Sequence, residues 1–212
     1  MSGLRTGRRK YYDLFSHFYD AFIKLHARRE EDDTRRLLVD AAELENKSSC
    51  RVLDICCGTG SLLSVFAQRY PDVVLVGYDF SRGMLHKAKE KNALTRALFV
   101  EGDAADLPFS DSSFDLVTCA YALYELKGEA REKALGEMKR VIQPTGLVML
   151  MEHEVPSHPL VRFLFNVRLA SMGSDDAREF VKGGVQRLQK IFSNLTLSRS
   201  RSGKSRLIIC QK

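Results

Sequence analysis

A strand-to-helix turn that contains two glycines is the feature that most constrains how this chain can fold. Residues 52–63 begin with an apolar strand, reach the acid Asp54, and pass through Gly58 and Gly60 into an apolar helix. Glycine lets a backbone approach a ligand closely, and the free N–H groups that open a helix favour an anionic group. The run therefore predicts a turn that holds a nucleoside cofactor, with Asp54 available to a polar group of the ligand.

The spacing of the glycines separates two kinds of cofactor turn. A dinucleotide-binding turn has the pattern G-x-G-x-x-G, but Leu63 stands at its third glycine position. The nicotinamide interpretation is therefore disfavoured. A structural turn with no ligand stays open on this motif alone, since short glycine patterns recur by chance.

A second apolar strand over residues 73–79 ends in Asp79, and Ser81 then caps a helix that contains Met84 and Leu85. Asp79 follows Asp54 by 25 residues, close to the offset of about 20 residues at which an acid on the second strand binds ribose hydroxyls. We expect Asp79 to bind ribose. The alternative is a carboxylate that caps the following helix.

The rest of the chain continues the alternation of strands and helices. Further strands are predicted over 97–102, 114–120 and 147–151, a helix over 129–142 and a turn over 144–146. Helices over 159–172 and 175–191 then precede a closing hairpin of strands 196–198 and 207–210, joined by a basic turn over 199–206. The first 45 residues indicate helices without a strand. This order predicts an α/β fold with a parallel sheet.

Size, cysteine usage and charge limit the class of protein. A chain of 212 residues fits one domain. The five cysteines include no C-x-x-C pair, which disfavours zinc or dithiol chemistry and favours the reducing cytosol. No apolar run approaches the roughly 20 residues that span a bilayer. Residues 155–212 carry 11 Lys and Arg against 3 Asp and Glu, so the net charge of +6 resides in the C-terminal part.

Several short motifs in a fixed order connect the chain to a known superfamily. Residues 54–60, 79–85, 102–104, 107–115 and 140–146 resemble the motifs of class I S-adenosylmethionine-dependent methyltransferases. The first motif usually reads D/E-x-G-x-G-x-G, and Cys56 departs from it at the first glycine. Within the superfamily the chain looks most like the ubiquinone/menaquinone C-methyltransferases and the bacterial phosphatidylethanolamine N-methyltransferases, whose YD…YD opening resembles residues 12–20.

The resemblance implies a Rossmann-like three-layer α/β/α sandwich with a seven-stranded, mostly parallel sheet whose last strand is antiparallel. It implies one methyltransferase domain over 1–212, in which residues 1–45 form a helical lid and residues 46–212 the core. S-adenosyl-L-methionine would be the cofactor. The residues carried over to its site are Asp54, Cys56, Gly58 and Gly60 for the methionine part, Asp79 for the ribose, Phe80, Met84, Asp103 and Ala104 around the adenine, Cys119 on the fourth strand, and Tyr12 and Tyr19 in the lid.

Methyl transfer from a sulfonium needs alignment of the nucleophile more than it needs a base. If a proton must be removed, the candidate groups are Tyr121, Tyr124, Glu125 and His153. The fourth strand ends without the N/D-P-P-Y/F pattern of adenine and glutamine N-methyltransferases, which disfavours methylation of that type.

The apolar and basic segment over 158–169 favours a small or lipid-like acceptor, such as a quinone or a phospholipid amine, or contact with an anionic membrane surface. We expect a cytoplasmic enzyme with peripheral membrane contact as an option, no obligatory nucleic acid and no metal. Two alternatives stay open: a regulatory protein that binds the cofactor without turnover, and an RNA-directed methyltransferase using the basic turn over 199–206.

Overall fold

The computed structural model describes residues 30–44, 49–91, 94–155, 159–160, 162–163 and 175–212. The chain divides into two compact units, residues 1–107 and 108–212. Tyr12, Tyr19 and most of the predicted lid and of the predicted 159–172 helix lie outside the described residues. The single domain with an N-terminal lid stays a prediction.

The first unit alternates helices and parallel strands. Its elements are α1 (Glu30–Asp40), β1 (Arg51–Ile55), α2 (Ser61–Arg69), β2 (Val74–Asp79), α3 (Arg82–Lys89) and β3 (Leu98–Glu101). Strand β2 lies between β1 and β3 and is parallel to both. The carboxyl ends of β1 and β2 therefore meet at one edge, where the glycine turn follows β1 and Asp79 ends β2.

Burial explains why these segments form this unit. Strands β1 and β2 are buried along nearly their whole length, as expected for parallel strands covered on both faces. Helix α2 buries Leu62, Leu63 and Phe66. Ser81 caps helix α3 as predicted, because its Oγ accepts a hydrogen bond from the backbone N–H of Met84.

The second unit completes the architecture with a hairpin. Its elements are β4 (Phe114–Ala120), a 3₁₀ turn (Leu123–Glu125), α4 (Glu129–Val141), β5 (Ile142–His153), α5 (Asp175–Ile191), β6 (Asn194–Arg199) and β7 (Ser205–Gln211). Strand β5 is parallel to β4, whereas β7 is antiparallel to both β5 and β6. The predicted closing hairpin and its antiparallel last strand are confirmed.

Seven strands form one sheet, flanked by helices. The strands of the first unit follow the order β3-β2-β1, and those of the second unit the order β4-β5-β7-β6. The predicted α/β class, with a seven-stranded and mostly parallel sheet, is confirmed.

The prediction of a turn over residues 144–146 is wrong, because β5 already begins at Ile142 and runs through this segment. Phe114 pairs with Ile142, and Leu116 pairs with Leu147. Between these two pairs the chain advances five positions along β5 but only two along β4. The three additional residues form an irregularity in the strand. Gly146 is needed there, because a Cβ atom would lie 2.8 Å from the carbonyl oxygen of Asp115.

Candidate active site

The turn after β1 adopts a left-handed backbone at every second residue. The φ angles are +57° at Cys56, +53° at Gly58 and +69° at Gly60. Only glycine adopts this region without a steric penalty, which explains the two glycines physically. Cys56 occupies the same conformation with a side chain, so the position that departs from the motif in sequence keeps the motif's backbone.

The two glycines serve different purposes. A Cβ atom at Gly60 would lie 2.7 Å from Cδ1 of Leu94 and 3.2 Å from Cβ of Ala88. At Gly58 no atom of the described residues lies within 4 Å of that position. Gly60 therefore permits close packing inside the protein, whereas Gly58 leaves space beside the backbone that a ligand can approach.

Asp79 joins the end of β2 to the glycine turn. Its Oδ2 accepts a hydrogen bond from the backbone N–H of Gly58 at 2.8 Å, and its Oδ1 accepts one from the N–H of Ser81 at 2.9 Å. The hydrogen bond from Ser81 corresponds to the helix-capping role that the sequence offers as the alternative to ribose binding. Each carboxylate oxygen has a second lone pair, so both roles are compatible, and ribose binding stays a prediction.

The carboxylate of Asp54 and the thiol of Cys57 lie inside the first unit. Asp54 is 2% exposed and Cys57 is buried. Burial raises the pKa of the Cys57 thiol well above its ordinary value, and the nearby carboxylates of Asp79 and Asp54 raise it further. The thiol therefore stays protonated, which argues against thiolate chemistry at Cys57. Cys56, next to it, is half-buried.

The residues assigned to the adenine surround the ends of β2 and β3. Phe80 and Asp103 are half-buried, whereas Met84 and Ala104 are buried. The Oδ1 atom of Asp103 accepts a hydrogen bond from the N–H of Ala105 at 3.0 Å, so this carboxylate shapes its own loop.

Tyr78 is a residue that the sequence analysis missed in this region. Its hydroxyl donates to the carbonyl oxygens of Asp103 and Asp106, each at 3.2 Å. A Cβ atom at Gly102 would lie 1.9 Å from the same hydroxyl oxygen. Tyr78 thus fixes the loop after β3, and the available signal was a tyrosine directly before Asp79 in an apolar strand.

Three of the four candidate proton-accepting residues come together in the second unit. The ring centroid of His153 lies 4.7 Å from that of Tyr121 and 5.5 Å from that of Tyr124. The hydroxyl of Tyr121 lies 2.7 Å from Oγ of Ser205. Tyr121 also has a φ of +56°, a strained conformation of the kind that concentrates at functional sites. We call Tyr121, Tyr124 and His153 the aromatic cluster.

Two other predicted site residues, Glu125 and Cys119, are close to the aromatic cluster in sequence but lie in different surroundings. Glu125 is half-buried at the end of the 3₁₀ turn. Cys119 is fully buried in β4, opposite Leu150 of β5. Its 0% exposure places it within the protein interior, and its contact with the cofactor stays a prediction.

Sequence reasoning also missed two buried ionisable side chains, Glu152 and Arg131, that bind the segment carrying the tyrosines of the aromatic cluster. Glu152 is 2% and Arg131 0% exposed. The Oε1 atom of Glu152 accepts a hydrogen bond from the N–H of Leu123 at 3.2 Å, and Nε of Arg131 donates to the carbonyl oxygen of Leu123 at 2.9 Å. Burial raises the pKa of Glu152 to about 8, against the opposing effects of the Leu123 hydrogen bond and of Arg131 and Arg206.

Comparison of the sequence with known proteins finds similarity to methyltransferases. Residues 52–146 match the family model described as a methyltransferase domain. The chain is 44% identical over 116 residues to a demethylmenaquinone methyltransferase of Roseiflexus castenholzii, a match that covers 54% of this chain and 48% of that protein. It is 36% identical over 121 residues to the enzyme of that name from Staphylococcus aureus, covering 56% and 49%. The chain thus matches about half the length of these curated relatives.

Solved structures share the fold over most of the chain. A protein from Pyrococcus horikoshii superposes with a TM-score of 0.65 at 23% identity, covering 92% of this chain and 98% of its own. A SAM-dependent methyltransferase from Aquifex aeolicus superposes with a TM-score of 0.62 at 16% identity, covering 83% and 88%.

The fold and the glycine turn are those expected of a class I S-adenosylmethionine-dependent methyltransferase, and residues 52–146 match the methyltransferase-domain family model. The two curated relatives carry the name demethylmenaquinone methyltransferase, which corresponds to the first of the two groups that the sequence resembles.

Proposed function

We propose that this protein transfers a methyl group from S-adenosylmethionine to a ring carbon of a reduced, quinone-type acceptor. The observation that carries the proposal is the turn in which Gly58 has open space beside it while its N–H is held by Asp79. The name shared by the curated relatives supports a quinone as the acceptor class.

The proposed cofactor contacts follow from the first unit. Gly58 offers an accessible backbone, the buried Asp54 a carboxylate for the methionine amino group, and Asp79 a carboxylate for the ribose hydroxyls. Phe80 supplies apolar surface for the adenine. This arrangement fits a ligand that combines an ammonium group, a diol and a flat ring.

The proposed acceptor contacts follow from the aromatic cluster of the second unit. The Tyr121 and His153 rings are inclined by 34° at 4.7 Å, and together they present flat apolar surface with polar edges, which suits an aromatic diol. In this reaction a hydroquinone ring carbon would displace sulfur from the sulfonium methyl, and the electron pair of the broken C–S bond would stay on sulfur. The ring would then release the proton from that carbon, and His153 is the candidate in the cluster to accept it.

The test measures methyl transfer from labelled S-adenosylmethionine to demethylmenaquinol, with phosphatidylethanolamine vesicles as the second acceptor. We expect labelled menaquinol and no labelled lipid. Labelled phospholipid would replace the quinone with an amine acceptor. Binding of S-adenosylmethionine without transfer to either acceptor would favour the regulatory alternative, and labelled RNA in a parallel assay would favour the RNA-directed one.

Peripheral membrane contact extends the same proposal. Leu160 and Phe163 are each 62% exposed, and Arg162 between them is exposed as well. Exposed apolar side chains next to a cation suit an anionic lipid surface, where a lipid-soluble quinone would reside. Co-sedimentation with phosphatidylglycerol vesicles, compared with phosphatidylcholine vesicles, tests this contact. Within the described part of the chain no helix is long and apolar enough to cross a bilayer.

A further inference from the structure

Two buried ionisable side chains bind the backbone of Leu123, one at its N–H and one at its carbonyl oxygen. Its N–H donates to Glu152 of β5, and its carbonyl oxygen accepts from Arg131 of α4. Leu123 begins the 3₁₀ turn that carries Tyr124, two residues after the strained Tyr121. The side chains of Arg131, 8 positions away, and of Glu152, 29 positions away, thus hold the peptide segment that presents both tyrosines of the aromatic cluster.

We propose that Glu152 and Arg131 are positioning residues that set the geometry of the acceptor site by fixing the segment 121–125. This inference rests on the proposed function, because the segment matters for turnover only if the aromatic cluster binds the acceptor. Neither residue touches the acceptor in this proposal. Both act through the backbone of Leu123.

The desolvation cost of Glu152 argues that its polarity is needed. Its Oε2 atom is buried and has no hydrogen-bond partner among the described residues. An unmet buried oxygen destabilises the fold, and an apolar residue of similar size would avoid that penalty. An apolar residue does not provide an acceptor for the N–H of Leu123, and this hydrogen bond is how Glu152 holds the segment.

The position of Glu152 on β5 connects it to the same site. Side chains alternate between the two faces of a strand, so His153 and Glu152 project to opposite faces. His153 contacts the rings of Tyr121 and Tyr124, while Glu152 holds the backbone between them. The end of β5 therefore supplies one residue of the aromatic cluster and one residue that fixes the rest of it.

The surroundings of Glu152 include charged groups from three other elements. Arg131 of α4 and Arg206 of β7 favour its carboxylate form, and Glu125 of the 3₁₀ turn disfavours it. The hydrogen bond to Leu123 uses a carbonyl-type oxygen that both the neutral and the ionised carboxyl possess. Replacement by glutamine therefore keeps the proposed contact, whereas replacement by leucine removes it.

Steady-state kinetics with demethylmenaquinol tests the proposal on three variants. For Glu152→Leu we expect KM for the acceptor to rise about tenfold, the factor that corresponds to one hydrogen bond of ordinary strength. The Kd of S-adenosylmethionine should change less than about twofold. Glu152→Gln should restore KM to near that of the parent. Met149→Leu, a fully buried site on the same strand, is the matched control and should leave KM unchanged.

A second measurement keeps this inference separate from the identity of the acceptor. Hydrogen exchange of the backbone amides over 121–126 should be faster in Glu152→Leu than in Met149→Leu, and Glu152→Gln should resemble the parent. If Glu152→Leu does not fold, Arg131→Lys replaces it in the test. This variant keeps the positive charge but not the geometry of the Nε donor to Leu123. We expect the same rise in KM and the same faster exchange over 121–126.

The outcomes distinguish the two proposals. Unchanged exchange over 121–126 in a folded Glu152→Leu or Arg131→Lys variant overturns the positioning role, whatever the acceptor is. An increase of KM that is equal in Met149→Leu and Glu152→Leu also overturns it, since it would reflect general core damage. If the parent protein transfers no methyl group to demethylmenaquinol, the proposed function fails while the exchange result still decides the role of Glu152 in the segment.

Discussion

Asp79 and Gly58 are joined by a hydrogen bond of 2.8 Å from the backbone N–H of Gly58 to the carboxylate of Asp79. The bond links the end of β2 to the turn after β1, across 21 positions of the chain. The carboxylate that is proposed to bind the ribose therefore also fixes the glycine turn that is proposed to hold the methionine part. Loss of this one charge should affect both parts of the cofactor site.

Asp79→Asn tests that dual role. The amide keeps the size of the side chain but removes the charge that strengthens its hydrogen bonds, a loss of roughly 1.5–3 kcal/mol. We expect the Kd of S-adenosylmethionine to rise about tenfold or more, measured by calorimetric titration. Asp106→Asn, at an exposed carboxylate of the same unit, is the control. Affinity within about twofold of the parent in Asp79→Asn would refute the ribose assignment.

Gly58→Ala and Gly60→Ala should differ in what they damage. Both force alanine into a left-handed backbone, but only the Gly60 methyl would lie 2.7 Å from Leu94. Gly60→Ala should therefore lower the free energy of unfolding more, by about 1–3 kcal/mol beyond the shared conformational cost. Gly58→Ala should mainly weaken cofactor binding.

Denaturant titration and calorimetric titration of both variants decide between these expectations. Equal losses of stability in the two variants would contradict the separate roles of the glycines. Cofactor affinity that is unchanged in a folded Gly58→Ala variant would mean that the space beside Gly58 is not used by the ligand.

Cys56→Gly should stabilise the protein. A side chain in the left-handed region costs roughly 1–2 kcal/mol, whereas the additional unfolded-state entropy of glycine costs roughly 0.5–1 kcal/mol. The net gain in the free energy of unfolding should therefore lie between zero and about 1.5 kcal/mol. Chemical denaturation measures it, with Cys50→Ala as a comparison at a cysteine that is buried. A loss of stability in Cys56→Gly would show that contacts of the cysteine side chain outweigh the backbone strain.

The sequence predicted those parts of the fold that depend on local patterns. Strand β4 has the predicted bounds, 114–120, because an apolar run between polar turns is sufficient to define it. The start of β5 was not predictable in the same way. Pro144 and Gly146 are typical of a turn, but pairing with β4 extends the strand through them, and only the register reveals the irregularity.

The site residues divide in the same way, into those that a local sequence pattern identifies and those whose role depends on distant parts of the chain. Cys56, Gly58 and Asp79 were identifiable because a short motif contains them or a known spacing relates them. Glu152 was not identifiable, because its burial and its role depend on Leu123, 29 positions earlier, and on the packing of α4. A carboxylate at the end of a strand is usually solvated, and no pattern along the chain distinguishes this one.

The raised pKa of Glu152 predicts how stability depends on pH. Its pKa is about 8 in the folded protein against 4.5 for the ordinary carboxyl, so between these values the folded state retains a proton that the unfolded state has released. The stabilisation is complete below pH 4.5 and is lost as the pH rises towards 8. In that window the contribution of Glu152 to the free energy of unfolding should fall by up to about 1.4 kcal/mol per pH unit. Urea titrations of the parent and of Glu152→Gln at several pH values isolate this slope, because glutamine does not titrate. If the two proteins show parallel profiles between pH 5 and 8, Glu152 is ionised when folded, and the charges of Arg131 and Arg206 outweigh its burial.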